Sequence, residues 1–297
     1  MTRPPSVAAV VVHFGDPSVT AACLAALDRV RYPRLTVVVV DNGGDAAALR
    51  AAMSRGRRRL TILPRRGNTG FAAGANGGMR AALAAGARMV WLLNNDAIPA
   101  PGALAPLVRA AGSHPRVGMV GSLVLDDRRP ARIWHAGGTI NLATGLTVSR
   151  GAGARDAGRF HWTEPVAWVT GCSLLATAPL VRATGGIDER FVMYYEETDW
   201  CLRARARGWQ VLFCPASRVV HRVAARAGRR DQGWLYWEAR NRLLLLRRHA
   251  PGRVLPALGG MLRWPIGSTL LRGRPRAAWA AVRGILAFSR LALGRSR

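Results

Sequence analysis

Carboxylates are scarce in this chain, 16 Asp and Glu against 44 basic residues, so each place where they gather can be read for its chemistry. The densest is "YYEETDWCLRARARGW", which holds Glu196, Glu197 and Asp199. Neighbouring carboxylates raise one another's pKa, and one held beside an electrophile can act as a general base. The same acids suit the first turn of a helix, with Arg203 pairing Asp199 at i,i+4. A second place is "MVWLLNNDAIPA", an apolar run that ends in Asn94, Asn95 and Asp96. Polar side chains at the tip of a core strand are costly to desolvate unless a ligand or a turn uses them. Asp96 can bind a hard divalent cation that in turn holds a diphosphate, with other ligands from substrate, water or a distant residue. The imidazole of His221, in "RVVHRV", can be that distant ligand.

Two further segments suit nucleotide binding. Asp41 ends the run "VVVVDNGG", where an acid can accept a hydrogen bond from a ribose hydroxyl or a base N–H. Asp41-Asn42-Gly43 is also ordinary turn composition. "RRGNTGFAAGANGGMRAAL" (65–83) is glycine-rich before a helix, which lets backbone approach a ligand. It matches neither a Walker loop nor GxGxxG spacing.

The elements that must position these residues are legible from periodicity. Strand-like runs at 7–14, 35–41, 60–63 and from Met89 alternate with helical stretches Pro17–Arg29, Asp45–Ser54 and Phe71–Ala85. Continuous β-branched runs between helices predict a parallel sheet covered on both faces. Ligands of such sheets bind beyond the carboxyl ends of the strands, where His13, Asp41 and Asn94–Asp96 fall. From Val117 the pattern changes to a strand, a glycine-punctuated hairpin (133–151), a strand pair around Gly171 (165–177), a loop, an acidic helix and a strand. From Arg222 onward the chain reads as helical, with 17 Arg against only Asp231 and Glu238.

The formal charge is +28, every basic residue is Arg, and such an imbalance attracts phosphates, nucleic acid or anionic lipid headgroups. Cys23, Cys172, Cys201 and Cys214 form no CxxC pair, which points to a reducing cytoplasm rather than a zinc site or disulfide framework. The N-terminal run is too short for a signal peptide, and the segment nearest to a membrane span, 254–271, is interrupted by Arg263, prolines and glycines. Arg276, Arg283, Arg290 and Arg297 recur every seven residues beside Trp279, Val282 and Leu286, the composition of a helix lying in a membrane interface.

Taken in order, "VVVHFG", "VVVVDNGG", "NTGFAAGANGG", "WLLNNDA", "VTGCSLLAT", "GGIDERFVMYYEETDWCLRARARGW", "VVH" and "YWEARNRLLLL" resemble the family 2 inverting glycosyltransferases. The resemblance is to the rhamnosyltransferase-like enzymes of bacterial surface-polysaccharide and cell-wall assembly, and runs from about Val7 to His249. It implies a GT-A fold: a Rossmann-like, mostly parallel α/β sheet flanked by helices, here with a basic helical C-terminal extension. It implies that Asp41 and Asn42 bind the nucleotide base or ribose, and that Asn68, Gly70 and Asn76 shape the nucleotide pocket. Asn95 would shape the diphosphate floor, where Asp96 touches metal and diphosphate and His221 is the second metal ligand. Gly171 and Cys172 would border the donor sugar. Glu197 aligns with the family's catalytic base, with Glu196 and Asp199 as neighbouring candidates. Three positions depart from the family pattern: Gly43-Gly44 replace a Ser, Asn94 replaces the first acid of the metal signature, and Glu197 replaces the more usual Asp.

The expectations are accordingly concrete. Residues 1–221 form the catalytic domain, 1–116 binding nucleotide and 117–221 binding donor sugar and acceptor, and 222–297 form the basic helical region. With Mg²⁺ or Mn²⁺, a sugar passes from a nucleoside-diphosphate donor, dTDP-L-rhamnose by resemblance, to a hydroxyl of a glycan or polyprenyl-diphosphate-linked acceptor. The chain is expected in the cytoplasm, peripheral on an anionic inner membrane face, with no nucleic-acid partner. The competing readings are a non-catalytic nucleic-acid or polyanion binder, and a nucleotidyltransferase on a similar sheet.

Overall fold

The computed structural model describes residues 3–43, 46–53, 59–129, 131–222 and 232–294. Strands β1 (Val7–His13), β2 (Leu35–Asp41), β3 (Leu60–Pro64) and β4 (Met89–Asn94) alternate with helices α1 (Pro17–Arg29), α2 (Ala46–Met53) and α3 (Gly70–Ala84). They pair in parallel in the order β4-β1-β2-β3. Ala8, Val10 and Val12 face a core that α3 completes with Ala72, Ala75 and Met79. Val7, Ala9 and Val11 face the opposite core, closed by Cys23 and Leu27 of α1. Burial on both faces is why β1 is apolar without alternation. Asp45 and Ser54, the expected ends of α2, lie outside the described residues.

The second half extends the same sheet. β5 (Ala97–Pro99) and α4 (Leu104–Ala111) lead to β6 (Val117–Asp126), β7 (Ile133–His135), the hairpin β8 (Gly138–Asn141) with β9 (Leu146–Ser149), and β10 (Glu164–Pro165). β11 (Ser173–Thr177), α5 (Ala178–Thr184), α6 (Glu196–Ala206) and β12 (Gln210–His221) follow. The strand order is β10-β12-β6-β11-β4-β1-β2-β3, with β5 on β12 and β7 on β6. β11 runs antiparallel between β4 and β6, so the sheet is mixed at its centre. A buried hydroxyl chain stitches that seam: Trp91 Nε1 donates to Ser173 Oγ at 3.0 Å, and Ser122 Oγ lies 2.6 Å from Ser173 Oγ and 2.7 Å from Ser217 Oγ.

One expected element differs. The strand pair around Gly171 is a single strand, β11, preceded by a loop. The loop spends its backbone groups on Val211 O and on a bridge between Trp168 and Gly138, and at its end Gly171 N donates to Glu197 Oε1 at 3.4 Å.

C-terminal helices α7 (Gln232–His249), α8 (Val254–Met261), α9 (Ser268–Leu271) and α10 (Pro275–Ala292) build a third core. It includes Phe191 and Leu202 from the preceding part of the chain, so these helices pack onto the face that carries α6. α7 and α10 cross closely at Gly284, where a Cβ would lie 2.3 Å from Tyr236 O. Arg276, Arg283 and Arg290 lie exposed on α10 beside exposed Trp279 and Leu286, whereas Val282 packs against the helical core. Arg297 and Asp231 fall outside the described residues. No described helix is long and apolar enough to cross a membrane.

Candidate active site

The parallel strands end together, and their tips form the first half of the site. β1 and β2 pair with His13 opposite Asp41, and β1 and β4 with Val12 opposite Asn94. Asp41 and Asn42 are both buried at this edge. Asn42 organises the loop ahead of α3: its Nδ2 donates to Asn68 Oδ1 at 3.0 Å and Gly70 O at 3.1 Å, and its Oδ1 accepts from Thr69 N at 3.1 Å. Asn68 Oδ1 also accepts from Gly70 N at 2.9 Å. Gly70 has φ +83°, and a Cβ there would sit 2.7 Å from Val192 Cγ1, so only glycine fits.

Strand register makes the second cluster. After β4 the chain turns through Asn95 and Asp96 into β5, and β5 pairs antiparallel with the end of β12, His221 opposite Ala97. Arg222 N donates to Asp96 O at 2.8 Å and closes the pairing. His221 Nε2 thereby lies 3.0 Å from Asp96 Oδ1 and 3.5 Å from Asn94 Nδ2. Asn95 is tied to α1 through Thr20, whose Oγ1 lies 3.1 Å from Asn95 Nδ2 and 2.7 Å from His13 Nδ1.

Asp96 Oδ1 is buried and accepts no hydrogen bond from a described N–H or hydroxyl other than the His221 ring nitrogen 3.0 Å away, and His221 Nδ1 is buried without a hydrogen bond to any described residue. A buried carboxylate oxygen that faces only an imidazole nitrogen is short of donors, and a divalent cation satisfies the carboxylate and the imidazole together. No described group of three or more His, Cys, Asp or Glu could hold a metal. The donor set therefore fits a cation that takes its remaining ligands from phosphate oxygens and water.

The third cluster is the start of α6. Glu196 and Glu197 are hydrogen-bonded to each other. Burial, then the neighbouring Glu197 charge, pushes Glu196 well above the usual carboxylate range, so it is the member that keeps a proton. Glu197 is also raised, again by burial. Its Oε1 faces Gly171 N, and its Oε2 is buried and takes no hydrogen bond from a described N–H or hydroxyl. Cys172 O accepts from Asn94 N at 3.3 Å, so two successive residues, Gly171 and Cys172, join the acid pair to the Asp96 floor. The Cys172 side chain itself is buried, and burial pushes its thiol well above its ordinary pKa.

The approach to α6 is strained. Val192, Tyr194 and Tyr195 have φ of 63°, 67° and 68°, a region that costs side-chain-bearing residues on the order of 1–3 kcal/mol each. Asn241 of α7, fully buried, offsets this: its Nδ2 lies 2.8, 2.7 and 2.9 Å from the carbonyl oxygens of Phe191, Met193 and Tyr194.

Asp199 occupies a different setting from its neighbours. Arg203 Nε donates to Oδ2 at 2.7 Å, Arg248 Nη1 to both oxygens at 2.9 and 2.8 Å, and His249 Nε2 lies 2.9 Å from Oδ1. Burial opposes its ionisation, but the His249 hydrogen bond and the two guanidinium charges outweigh it and hold the carboxyl below its usual range. Asp199 thus docks α7 onto α6, and both its oxygens are occupied. Asn76 is likewise engaged elsewhere: it bonds Ile187 N and O and Glu189 Oε1 at 2.8–3.0 Å, holding the loop ahead of α6.

A cleft of about 480 Å³ opens beside Glu197. Trp134, Trp168 and Thr170 wall it on the sheet side, Leu146 and Thr147 on the hairpin side, and α7 and the 264–277 segment close it. Trp134 meets the His221 ring edge-on at 4.5 Å, so one side chain separates the cleft from the Asp96–His221 pair. The sequence reading assigned no role to Trp134, Asn241, Arg248 or His249. An Asn inside the leucine-rich run "YWEARNRLLLL" was the available sign for Asn241, because a buried amide must find partners.

A mixed α/β sheet, mostly parallel in its nucleotide half and carrying acids at its strand tips, is the GT-A architecture. The chain belongs to glycosyltransferase family 2: the "Glycosyltransferase like family 2" profile matches residues 4–242. An N-acetylglucosaminyl-diphospho-decaprenol L-rhamnosyltransferase of Mycobacterium tuberculosis is 27% identical over 268 residues, covering 84% of this chain and 85% of that protein. Among solved structures, the mannosyltransferase PcManGT from Pyrobaculum calidifontis, in complex with GDP-Man and Mn²⁺, superposes with a TM-score of 0.59 at 18% identity, over 99% of this chain and 88% of that one. GalNAc-T7 with UDP, GalNAc and Mn²⁺ gives 0.58 at 14% identity, over 80% of this chain and 51% of that one. The protein is therefore a glycosyltransferase, which sets aside the polyanion-binder and nucleotidyltransferase readings.

Proposed function

We propose that the protein transfers a sugar with inversion from a nucleoside-diphosphate sugar, dTDP-L-rhamnose, to a hydroxyl of a polyprenyl-diphosphate-linked glycan. The observation that carries this reading is Glu197: a carboxylate whose Oε2 takes no hydrogen bond from a described N–H or hydroxyl, beside an open cleft and joined through Gly171 and Cys172 to the Asp96–His221 pair. The choice of sugar and acceptor rests on the mycobacterial relative and on the sequence resemblance.

In the proposed reaction Asp41, Asn42, Asn68 and Gly70 hold the nucleoside at the strand edge. Asp96 and His221 would hold Mg²⁺ or Mn²⁺, which when bound supplies positive charge to the leaving diphosphate. Asn95 and Gly171–Cys172 set the shape of the floor between diphosphate and sugar. Glu197 takes the proton of the acceptor hydroxyl as that oxygen forms its bond to the anomeric carbon. The bond from that carbon to the phosphate oxygen breaks on the opposite face, and nucleoside diphosphate leaves. Glu196, which keeps its own proton, donates to Glu197 and keeps it ionisable despite burial. Asp199 serves structure in this scheme and takes no proton from the acceptor.

The division of labour follows the chain: 1–116 bind nucleotide, 117–221 bind donor sugar and acceptor, and 222–297 bring the enzyme to an anionic membrane face. Supporting that role, Trp279 and Leu286 on α10 and Leu293 just past its end are exposed, interleaved with Arg276, Arg283 and Arg290. A thermal-shift screen of dTDP- and UDP-sugars with and without Mn²⁺ tests the donor assignment. dTDP-L-rhamnose with Mn²⁺ should give the largest rise in Tm; a larger rise with a UDP-hexose replaces the donor.

A further inference from the structure

The far wall of the cleft does two things at once. Between α8 and α10 the chain kinks at Trp264 (φ −152°, ψ 121°) and reaches α9 before a tight turn at Gly273 (φ +65°). From this segment Trp264, Ser268, Thr269, Arg272 and Arg274 line the cleft that holds Glu197. The same few residues carry Leu262, Leu270 and Leu271 outward, Leu271 being 91% exposed and Trp264 itself 56%. Leu255 of α8 extends the apolar surface. Apolar side chains this exposed on one short segment are unfavourable in water and mark a contact surface.

The charges beside them are also incomplete. Arg272 and Arg274 flank Gly273, and neither forms an ion pair with a described carboxylate; the first turn of α10 holds no acid. Arg242, deeper in the cleft, is already bonded to Thr144 O at 2.6 Å and lies 3.5 Å from Glu238. Two like charges held within three residues repel unless an anion lies between them, and a guanidinium pair suits phosphate oxygens. Glu197 and Glu238, the carboxylates that line the cleft, sit on the α6 and α7 walls, not on this turn.

We infer that the Leu262–Arg274 segment is the portal for a membrane-borne acceptor: Arg272 and Arg274 grip its diphosphate at the bilayer surface while Trp264, Leu270 and Leu271 lie in the lipid. The lipid tail then stays in the membrane, and the sugar beyond the diphosphate projects between Trp134, Trp168 and Trp234 toward Glu197. This deepens the acceptor reading given above and rests on it for the identity of the sugar, but the grip itself can be measured without any transfer.

The test is vesicle co-sedimentation of the full chain with neutral phosphatidylcholine vesicles doped either with a polyprenyl diphosphate or with phosphatidylglycerol at equal total charge. The wild type should bind the diphosphate vesicles at least about tenfold more tightly, and Arg272→Ala/Arg274→Ala should erase that preference while keeping the residual binding to phosphatidylglycerol. Leu270→Ser/Leu271→Ser should weaken binding to both. Equal wild-type affinity for the two vesicles, or an equal loss on both in the arginine variant, shows only a general anionic surface and overturns the portal. A parallel transfer assay separates the two readings: failure of every donor and acceptor with the vesicle preference intact removes the acceptor reading and leaves the grip. Transfer with no vesicle preference removes the grip alone.

Discussion

His221 Nε2 stands 3.0 Å from Asp96 Oδ1 because β5, three residues long, pairs with the last residues of β12. A contact made by strand register cannot adjust easily to a change in either partner. Asp96→Ala and His221→Ala should each raise the Mn²⁺ concentration for half-maximal transfer at least about tenfold while the fold is retained. Metal titrations of initial rate, with circular dichroism as the folding control, decide this. An unchanged metal requirement in both variants would mean that no cation sits between them.

The Glu196–Glu197 pair predicts a displaced acid limb. Burial raises Glu197, so the rate should fall as pH drops through a value above the roughly 4.3 of an ordinary glutamate. Glu196→Ala removes a hydrogen bond that favours the ionised Glu197, and the limb should move to higher pH. Glu196→Gln keeps an N–H donor and should restore most of the wild-type profile. Identical pH–kcat profiles in all three proteins would show that Glu196 does not tune the base.

Asn241 is a positioning residue, reaching the chemistry only through the strained backbone of 191–195. Asn241→Ala should lower kcat by about 10²-fold through misplacement of Glu197, and cost about 1–3 kcal/mol of stability. Donor KM should change little, because the nucleotide edge lies on other strands. If kcat holds while stability falls, the amide supports the fold and nothing more.

Two groups lower stability as pH falls, each in its own window. Asp199 has a depressed pKa, so its stabilisation is complete above its ordinary value of 3.8 and is lost as pH falls through the lower folded value. His135 is lowered from 6.5 to about 3, chiefly by burial with Arg150 adding to it. The unfolded chain therefore takes up a proton below about pH 6.5 that the folded protein refuses, and stability should decline from there toward pH 3. Urea unfolding at pH 7, 6 and 5 should show the decline, and His135→Gln should flatten it. A wild-type curve already flat over that range contradicts the assignment to His135.

Much of this was legible in the residues. The parallel half of the sheet was, because β1, β2 and β4 are buried on both faces and so carry unbroken apolar runs. Asp41, Asp96 and His221 stood out as candidates because each closes or follows such a run with chemistry that a core does not use, and Glu197 because it sits in the densest gathering of acids. The loop before β11 was not: Val166, Trp168 and Val169 are apolar for packing, and nothing local reveals that Gly171 N turns to Glu197. Asp199 and Glu197 could not be separated from the sequence either. The residues that distinguish them, Arg248 and His249, lie a whole helix away, and only the docking of α7 on α6 brings them to Asp199. Trp134 was hidden for a similar reason, since its neighbour His221 ends a strand far along the chain.

The central claim is that Glu197 is the base of a glycosyl transfer. Its most direct test is single-turnover transfer from dTDP-L-rhamnose to a polyprenyl-diphosphate N-acetylglucosamine acceptor by wild type and Glu197→Gln, with donor affinity measured in parallel. The account predicts transfer slowed by at least about 10²-fold in the variant with donor binding nearly unchanged. Wild-type transfer by Glu197→Gln would contradict it.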